Sequence, residues 1–268
     1  FDVEKAKEII GDGSQASYSI PVTITQPTIT EAVLRERLFR DTLARTATNL
    51  NEGNAPRTNN VRLAAKAING TILNPGDVFS YNTVVGERTQ ARGYQEAHAY
   101  SGGKIIDEFG GGVCQPSSTL YMAVLRADLE VVERHNHSFT VSYTPLGEDA
   151  TVDYGNLDFR FANNTAYPIK ILAEQTDGQM IMTIIGTKTS DKTVATRTEV
   201  LETYKPETVE KQDSSLAAGE TQVETSGITG YSTRTYKVIT ENGKTTEVLA
   251  NKSTYSKRDE IVCVGTGS

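Results

Sequence analysis

The chain has 268 residues, with 27 Lys plus Arg against 34 Asp plus Glu, for a formal net charge of −7. That balance supplies no basic stripe for nucleic acid, and no apolar run approaches the length of a membrane span. Hydrophobic residues make up 37%, enough for packed cores in one large domain or two to three smaller ones.

The chain opens on Phe1, and "FDVEKAKEII" reads as the interior of a longer protein, so any export signal or membrane anchor is expected upstream. In "YSIPVTITQP", Tyr18, Ile20, Val22 and Ile24 alternate, which predicts one strand. A helix is predicted over "TITEAVLRERLFRDTLA", capped by Thr28 or Thr30, and "NEGNAPR" breaks it. Val61, Ala64, Ala65 and Ile68 then fall on one helical face, with Gly70 as its C′ residue. Asn74 to Asp77, "NPGD", carries type II turn chemistry. After three glycines a helix is predicted from Pro116 to Leu129, burying Leu120, Tyr121, Val124 and Leu125. Read as extended chain, "VVERHNHSFTVSY" turns Val131, His135, His137, Phe139, Val141 and Tyr143 one way and Arg134 and Asn136 the other. Short strands with Asn/Gly turns follow through "QMIMTIIGTK". Near residue 190 the chain becomes charged, threonine-rich and alternating. This predicts an extended, thinly cored all-β module with a hairpin at Asn242–Gly243 and no catalytic group.

There are two cysteines, Cys114 and Cys263, 149 positions apart. One disulfide or two inert thiols is the plain alternative. Cys114, however, follows Gly110, Gly111 and Gly112 and leads into a helix. A thiol there meets the positive end of the helix dipole and free N–H groups, which lower its pKa. Glycines permit a sharp turn, and the N–H groups around Cys114 and Gln115 are candidate oxyanion donors. Gly112, Ser117 and Ser118 on the same turn are candidate substrate contacts. His135 and His137, some 20 residues on, are candidate bases, with Asp149, Asp153 or Asp158 as a third group. The same Cys114, His135 and His137 with one Asp compose a tetrahedral zinc set as an alternative. The residues around Cys114 are unlike CxxC ligand spacing, so no metal or cofactor is expected. Arg88, Arg92 and His98 are candidates for an anionic substrate, against the alternative of a solvated loop.

"NNVRLAAKAINGTILNPGDVFSYNTVVGERTQARGY", "GGGVCQPSSTLYMAVLRADLEVVERHNHSFTVSYTPLGEDATVDYG" and "LDFRFANNTAYPIKI" together resemble the VanW domain from about Asn51 to Ala173. The C-terminal module resembles the G-five domain, with Gly219, Gly227, Gly230, Gly243 and Gly265 as its glycines and "DEIVCVGTG" as its closing strand. The first residues are similar to the end of the peptidoglycan-binding module that often precedes VanW domains. The resemblance implies an α+β architecture: a remnant at 1–28, a catalytic domain with helices packed on short strands at 29–190, and an elongated all-β module at 191–268. Members of the family are linked to peptidoglycan L,D-transpeptidation by a cysteine. This implies Cys114 as nucleophile and both His135 and His137 as base candidates; the choice between them stays open, with His137 set first as base, His135 as its orienter and Asp149 first among the third-group candidates. The expected product is a direct diaminopimelate-to-diaminopimelate cross-link. Two alternatives are a carboxypeptidase or endopeptidase using the same residues, and a wall-binding protein without catalysis. The expected partner is peptidoglycan, stem peptides and glycan, and not nucleic acid. The chain is expected to act as a monomer in the wall, or on the outer face of the cytoplasmic membrane, of a Gram-positive bacterium.

Overall fold

The computed structural model describes residues 1–25, 30–101 and 104–267. Two compact units emerge, Phe1–Arg37 and the chain from Leu38 onward. In the first, helix α1 (Val3–Ile10) is capped by Asp2, whose carboxylate accepts from the N–H groups of Glu4 and Lys5. Helix α2 (Glu31–Arg37) starts with Thr30 Oγ1 accepting from Val33 N. Thr28, the other predicted cap, lies outside the described residues. The strand expected over Tyr18–Ile24 does not form, and Val22 and Ile24 are exposed. Alternation makes a strand only where a neighbouring sheet edge can take it up.

The helix predicted through Ala44 stops at Arg37. Phe39 adopts φ +55, and Asp41–Asn49 continues as strand β1. Its Ala44, Thr46 and Thr48 alternate into the core, so period 2 prevails over helical spacing here. Helix α3 (Ala55–Ile68) follows, with Asn54 as cap and Pro56 in its first turn. Val61, Ala64, Ala65 and Ile68 are all buried, as their spacing predicts. Then come β2 (Ile72–Leu73), β3 (Val78–Ser80), helix α4 (Tyr81–Val85), β4 (Glu96–Ser101) and β5 (Lys104–Phe109). Helix α5 (Cys114–Arg126), β6 (Glu130–Glu133), β7 (Arg160–Ala162), β8 (Ile169–Thr176) and β9 (Gln179–Gly186) complete this region.

The main sheet runs β1-β9-β8-β2, with antiparallel neighbours throughout. Helix α5 packs on β1 and β9, and α3 on β8. The core between them holds Ile68, Leu120, Val124, Ile169, Ile171 and Met182. Each such fully buried side chain contributes about 1.5–3 kcal/mol relative to exposure. A second sheet, β3-β7-β6, stacks Phe79 on Phe161 and leads directly to the histidines.

The C-terminal module comprises β10 (Thr193–Tyr204), β11 (Thr208–Ala217), β12 (Thr221–Thr225), β13 (Gly230–Glu241), β14 (Lys244–Tyr255) and β15 (Glu260–Gly267). They form two three-stranded sheets, β10-β13-β14 and β11-β15-β12. Asn242 and Gly243, both at positive φ, make the predicted hairpin between β13 and β14. The protein is mostly β with few helices, and its C-terminal module is all β.

The module is firmly joined to the preceding domain. Thr196 bridges Glu148 at 2.6 Å and Arg126 at 2.9 Å. Asn251 Nδ2 donates to Tyr121 Oη at 2.7 Å, and Ser256 N donates to Ser138 O at 2.7 Å.

Candidate functional site

The three glycines build the turn that delivers Cys114. Gly110 and Gly112 sit at φ +86 and +102, a region closed to most side chains. Val113 N bonds Gly110 O and Gln115 N bonds Gly112 O, two tight turns in succession. Asn60 on α3 pins this loop, donating to the carbonyls of Gln95 and Gly111, while Tyr81 Oη donates to Val113 O at 2.7 Å. The helix therefore starts two residues earlier than predicted. Cys114 occupies its first helical position, at the positive end of the dipole.

Two further segments meet the thiol. Ser118 Oγ donates to Cys114 O at 2.8 Å and accepts from Ala150 N at 3.0 Å, tying α5 to residues 149–152. Thr151 N donates to His135 O at 2.8 Å, which lays residues 135–137 beside 149–151. Val152 N and Thr151 Oγ1 thereby lie 3.5 Å from Cys114 Sγ. His137 Nδ1 bonds Asp149 Oδ2 at 2.7 Å, which leaves Nε2 for the thiol. Tyr143 Oη lies 3.4 Å from that Nε2, its ring edge-on to the imidazole.

Burial alone raises the Cys114 thiol. The hydrogen bond and charge of His137, with Val152 N–H and Thr151, outweigh burial and hold it below its ordinary value. Burial likewise lowers His137, but Asp149 and Cys114 together carry it up to about 9. Burial raises Asp149, and the hydrogen bond and charge of His137, with Arg134, hold it below the usual carboxylate range. All three directions favour a thiolate–imidazolium pair backed by a carboxylate, the arrangement of an activated cysteine nucleophile.

Residues 56–185 match the VanW like protein family, and residues 195–267 match the G5 domain family. The chain carries a VanW-like domain followed by a G5 domain. It is 44% identical over 142 residues to the uncharacterized protein YoaR of Bacillus subtilis, covering 53% of this chain and 47% of that one. It is 29% identical over 134 residues to the vancomycin B-type resistance protein VanW of Enterococcus faecalis, covering 48% of this chain and 49% of that one. The chain thus spans about half the length of these curated relatives. The solved IgA1 protease G5 domain structure matches at 18% identity, covering 30% of this chain and 98% of its own, with a TM-score of 0.21.

Within the VanW-like domain, the sequence candidates separate. Cys114, His137 and Asp149 come together. His135 does not join them: strand β6 ends at Glu133, so the two histidines are not on one strand face. His135 Nε2 bonds Glu133 at 3.1 Å, and its side chain lines a groove of about 400 Å³ with Asn251 and Lys252. Asp158 is taken by Ser80 and the N–H of Asn82, and Asp153 O accepts from Asn82 Nδ2. Ser117 and Ser118 are fully buried in α5. Gln115 is buried too, its amide donating to Thr48 Oγ1 and Asn49 O. Arg88 is held by Asn82 between the rings of Tyr81 and Tyr154, and Arg92 donates to Glu87 O at 2.5 Å. The His98 side chain lies outside the described residues. Cys114 and Cys263 are both free thiols, and Cys263 is buried beside Glu224. Among the described residues, no group of three His, Cys, Asp or Glu is arranged to hold a metal ion.

Four residues at the site escape the sequence reading. Arg57, one helical turn before Asn60, donates to Gln115 Oε1 at 2.7 Å, with its stem against Gly112. Arg134 binds Asp149 Oδ1 at 2.9 Å, and its position next to His135 was the only available signal. Tyr143 joins through the loop after residue 137. Tyr255 comes from the G5 domain, donating to Asp149 Oδ1 at 2.5 Å, and nothing in its neighbouring sequence marks it.

Proposed function

We propose that the protein is a peptidoglycan L,D-transpeptidase working through a Cys114 thioester. The observation that carries this reading is the Cys114–His137–Asp149 constellation at the start of α5. The substrate class comes from the resemblance to the VanW family and from a relative named for vancomycin resistance, a cell-wall context.

The Cys114 thiolate attacks the carbonyl carbon of the third stem residue. Negative charge moves to the carbonyl oxygen. Gln115 N–H is engaged by Gly112 O, so Cys114 N–H is the donor the turn offers to that oxygen. The amide C–N bond then breaks as His137 imidazolium gives its Nε2 proton to the departing D-Ala amine. An acceptor stem's side-chain amine enters and attacks the thioester, giving its proton to neutral His137. The C–S bond breaks, thiolate and imidazolium are restored, and a third-to-third cross-link remains. Asp149 holds the tautomer with Nδ1–H throughout. Arg57, partly buried within the electrostatic reach of Cys114, supplies positive charge for a stem carboxylate. The G5 domain adds contact with the polymer, raising local substrate concentration.

The test incubates the protein with purified disaccharide tetrapeptides beside Cys114→Ala and weighs the products. Dimers from wild type alone support transfer. Shortened monomers alone assign hydrolysis, with water as acceptor. Products equal in wild type and Cys114→Ala remove the cysteine mechanism.

A further inference from the structure

We infer that the G5 domain supplies a positioning residue of the catalytic site, Tyr255, which braces the Asp149 carboxylate that orients His137. The inference rests on the reading of Cys114, His137 and Asp149 as the reacting constellation.

Tyr255 ends strand β14, 106 positions from Asp149. Its side chain is fully buried. Its hydroxyl is saturated: it donates to Asp149 Oδ1 at 2.5 Å and accepts from Gly147 N at 2.7 Å. The carboxylate is saturated in turn. Oδ1 takes Arg134 and Tyr255, and Oδ2 takes the backbone N–H and ring Nδ1 of His137. A carboxylate with this many donors stays ionised to low pH. Strand β14 grips the same group a second time, because Ser253 Oγ accepts from Arg134 Nη1 at 2.8 Å. A third grip is Asn251, which donates to Gly147 O and to Tyr121 Oη. Residues 251, 253 and 255 share one strand face, so one edge of the G5 domain backs the whole carboxylate. The charged and titratable groups facing Asp149 are His137, Arg134, Tyr143, Tyr121 and Tyr255. Of these only Tyr255 comes from outside the VanW-like domain.

A tethered wall-binding domain does not need this contact. A domain that sets the ionisation of the triad carboxylate does. Removing the Tyr255 hydroxyl makes Asp149 protonate at higher pH. A protonated Asp149 no longer supports His137 imidazolium, and Cys114 regains its proton.

The experiment is the pH dependence of Cys114 alkylation by iodoacetamide in the full chain, with the His137 imidazole followed by NMR. In Tyr255→Phe the acid limb of alkylation is expected to move up by about one pH unit, giving about a tenfold lower rate at a fixed pH on that limb. Rates near pH 8 stay close to wild type. Ser253→Ala, which loosens Arg134 without touching the phenol, is expected to move the limb the same way by less. It serves as the test should Tyr255→Phe not fold. An acid limb superimposable on wild type in folded Tyr255→Phe overturns the inference, whatever Ser253→Ala does. Should wild type make no cross-linked dimers while Tyr255→Phe still moves the limb, the transpeptidase reading fails and the positioning role stands.

Discussion

His137 and Asp149 are joined twice at one oxygen: the backbone N–H and ring Nδ1 of His137 both lie 2.7 Å from Asp149 Oδ2. The two bonds fix the residue's backbone and its ring together, so the imidazole has one orientation, with Nε2 turned to Cys114 and Tyr143. His135 has no such hold. Its ring is bonded to Glu133, and its side chain is 41% exposed against 11% for His137.

The two histidines are therefore separable by mutation. His137→Ala is expected to lower transpeptidation by about 10²–10⁴-fold, the range of a lost general acid–base group. It should slow Cys114 alkylation near pH 6 as well, because the thiol loses its largest opposing partner to burial. His135→Ala should leave both rates near wild type. Parallel measurements with a thiol reagent and with muropeptides check this, and equal losses in the two variants would sink the assignment.

The pair also sets a pH profile for stability. His137 is raised in the folded state to about 9 from an ordinary 6.5, so its stabilisation is fully present below about pH 6.5. It is lost as pH rises through about 9. Asp149 is depressed below its ordinary 3.8, so its contribution is present above that value and lost as pH falls beneath it. Melting temperature should decline as pH falls beneath that value, while on the alkaline side the lowered Cys114 thiol gains stability as His137 loses it and the two offset one another. In Cys114→Ala the hydrogen bond and charge of the thiol disappear, so His137 should titrate below its wild-type value. An unchanged His137 titration in Cys114→Ala, read by NMR, would show that the two groups do not interact.

Local rules made half the site readable. The glycines before Cys114 signalled a strained turn into a helix, and Gly112 at φ +102 meets that demand. Helical spacing on α3 and the turn chemistry at Asn74–Asp77 likewise appear in the fold as read. The errors share one cause, which is that pairing partners are invisible along the chain. Asp41–Asn49 is a strand because β9 receives it, and Tyr18–Ile24 is not one despite similar alternation. The histidine segment leaves its strand at Glu133 because His135 O is drawn to Thr151 N. Tyr255 was beyond reach for the same reason, being brought to Asp149 by the docking of a whole domain.

Asp149→Asn should separate stability from catalysis. The variant leaves the Arg134 guanidinium, 5% exposed, without its counter-charge. Stranding one partner of a buried pair costs about 3–5 kcal/mol, visible as a lowered denaturant midpoint. The amide can also donate to His137 Nδ1 and so select the wrong tautomer. Combining Asp149→Asn with Arg134→Met removes the stranded charge and should restore part of the stability while activity stays lost. Activity returning along with stability would mean that Asp149 serves only the fold.

Gly112 offers a last test through its contact with Arg57. A Cβ at Gly112 would lie 2.7 Å from Arg57 Cγ, in a backbone region at φ +102 that strains any L side chain. Gly76, at φ +85 in the turn after β2, meets nothing within 4 Å. Both Gly→Ala changes incur backbone strain of about 1–3 kcal/mol. Only Gly112→Ala must also displace Arg57, and with it the 2.7 Å bond to Gln115 beside the thiol. Gly76→Ala should therefore lower the melting temperature and leave Cys114 alkylation at its wild-type rate. Gly112→Ala should lower both, with muropeptide KM rising as Arg57 leaves its place. A normal KM in a folded Gly112→Ala protein would remove Arg57 from the substrate site.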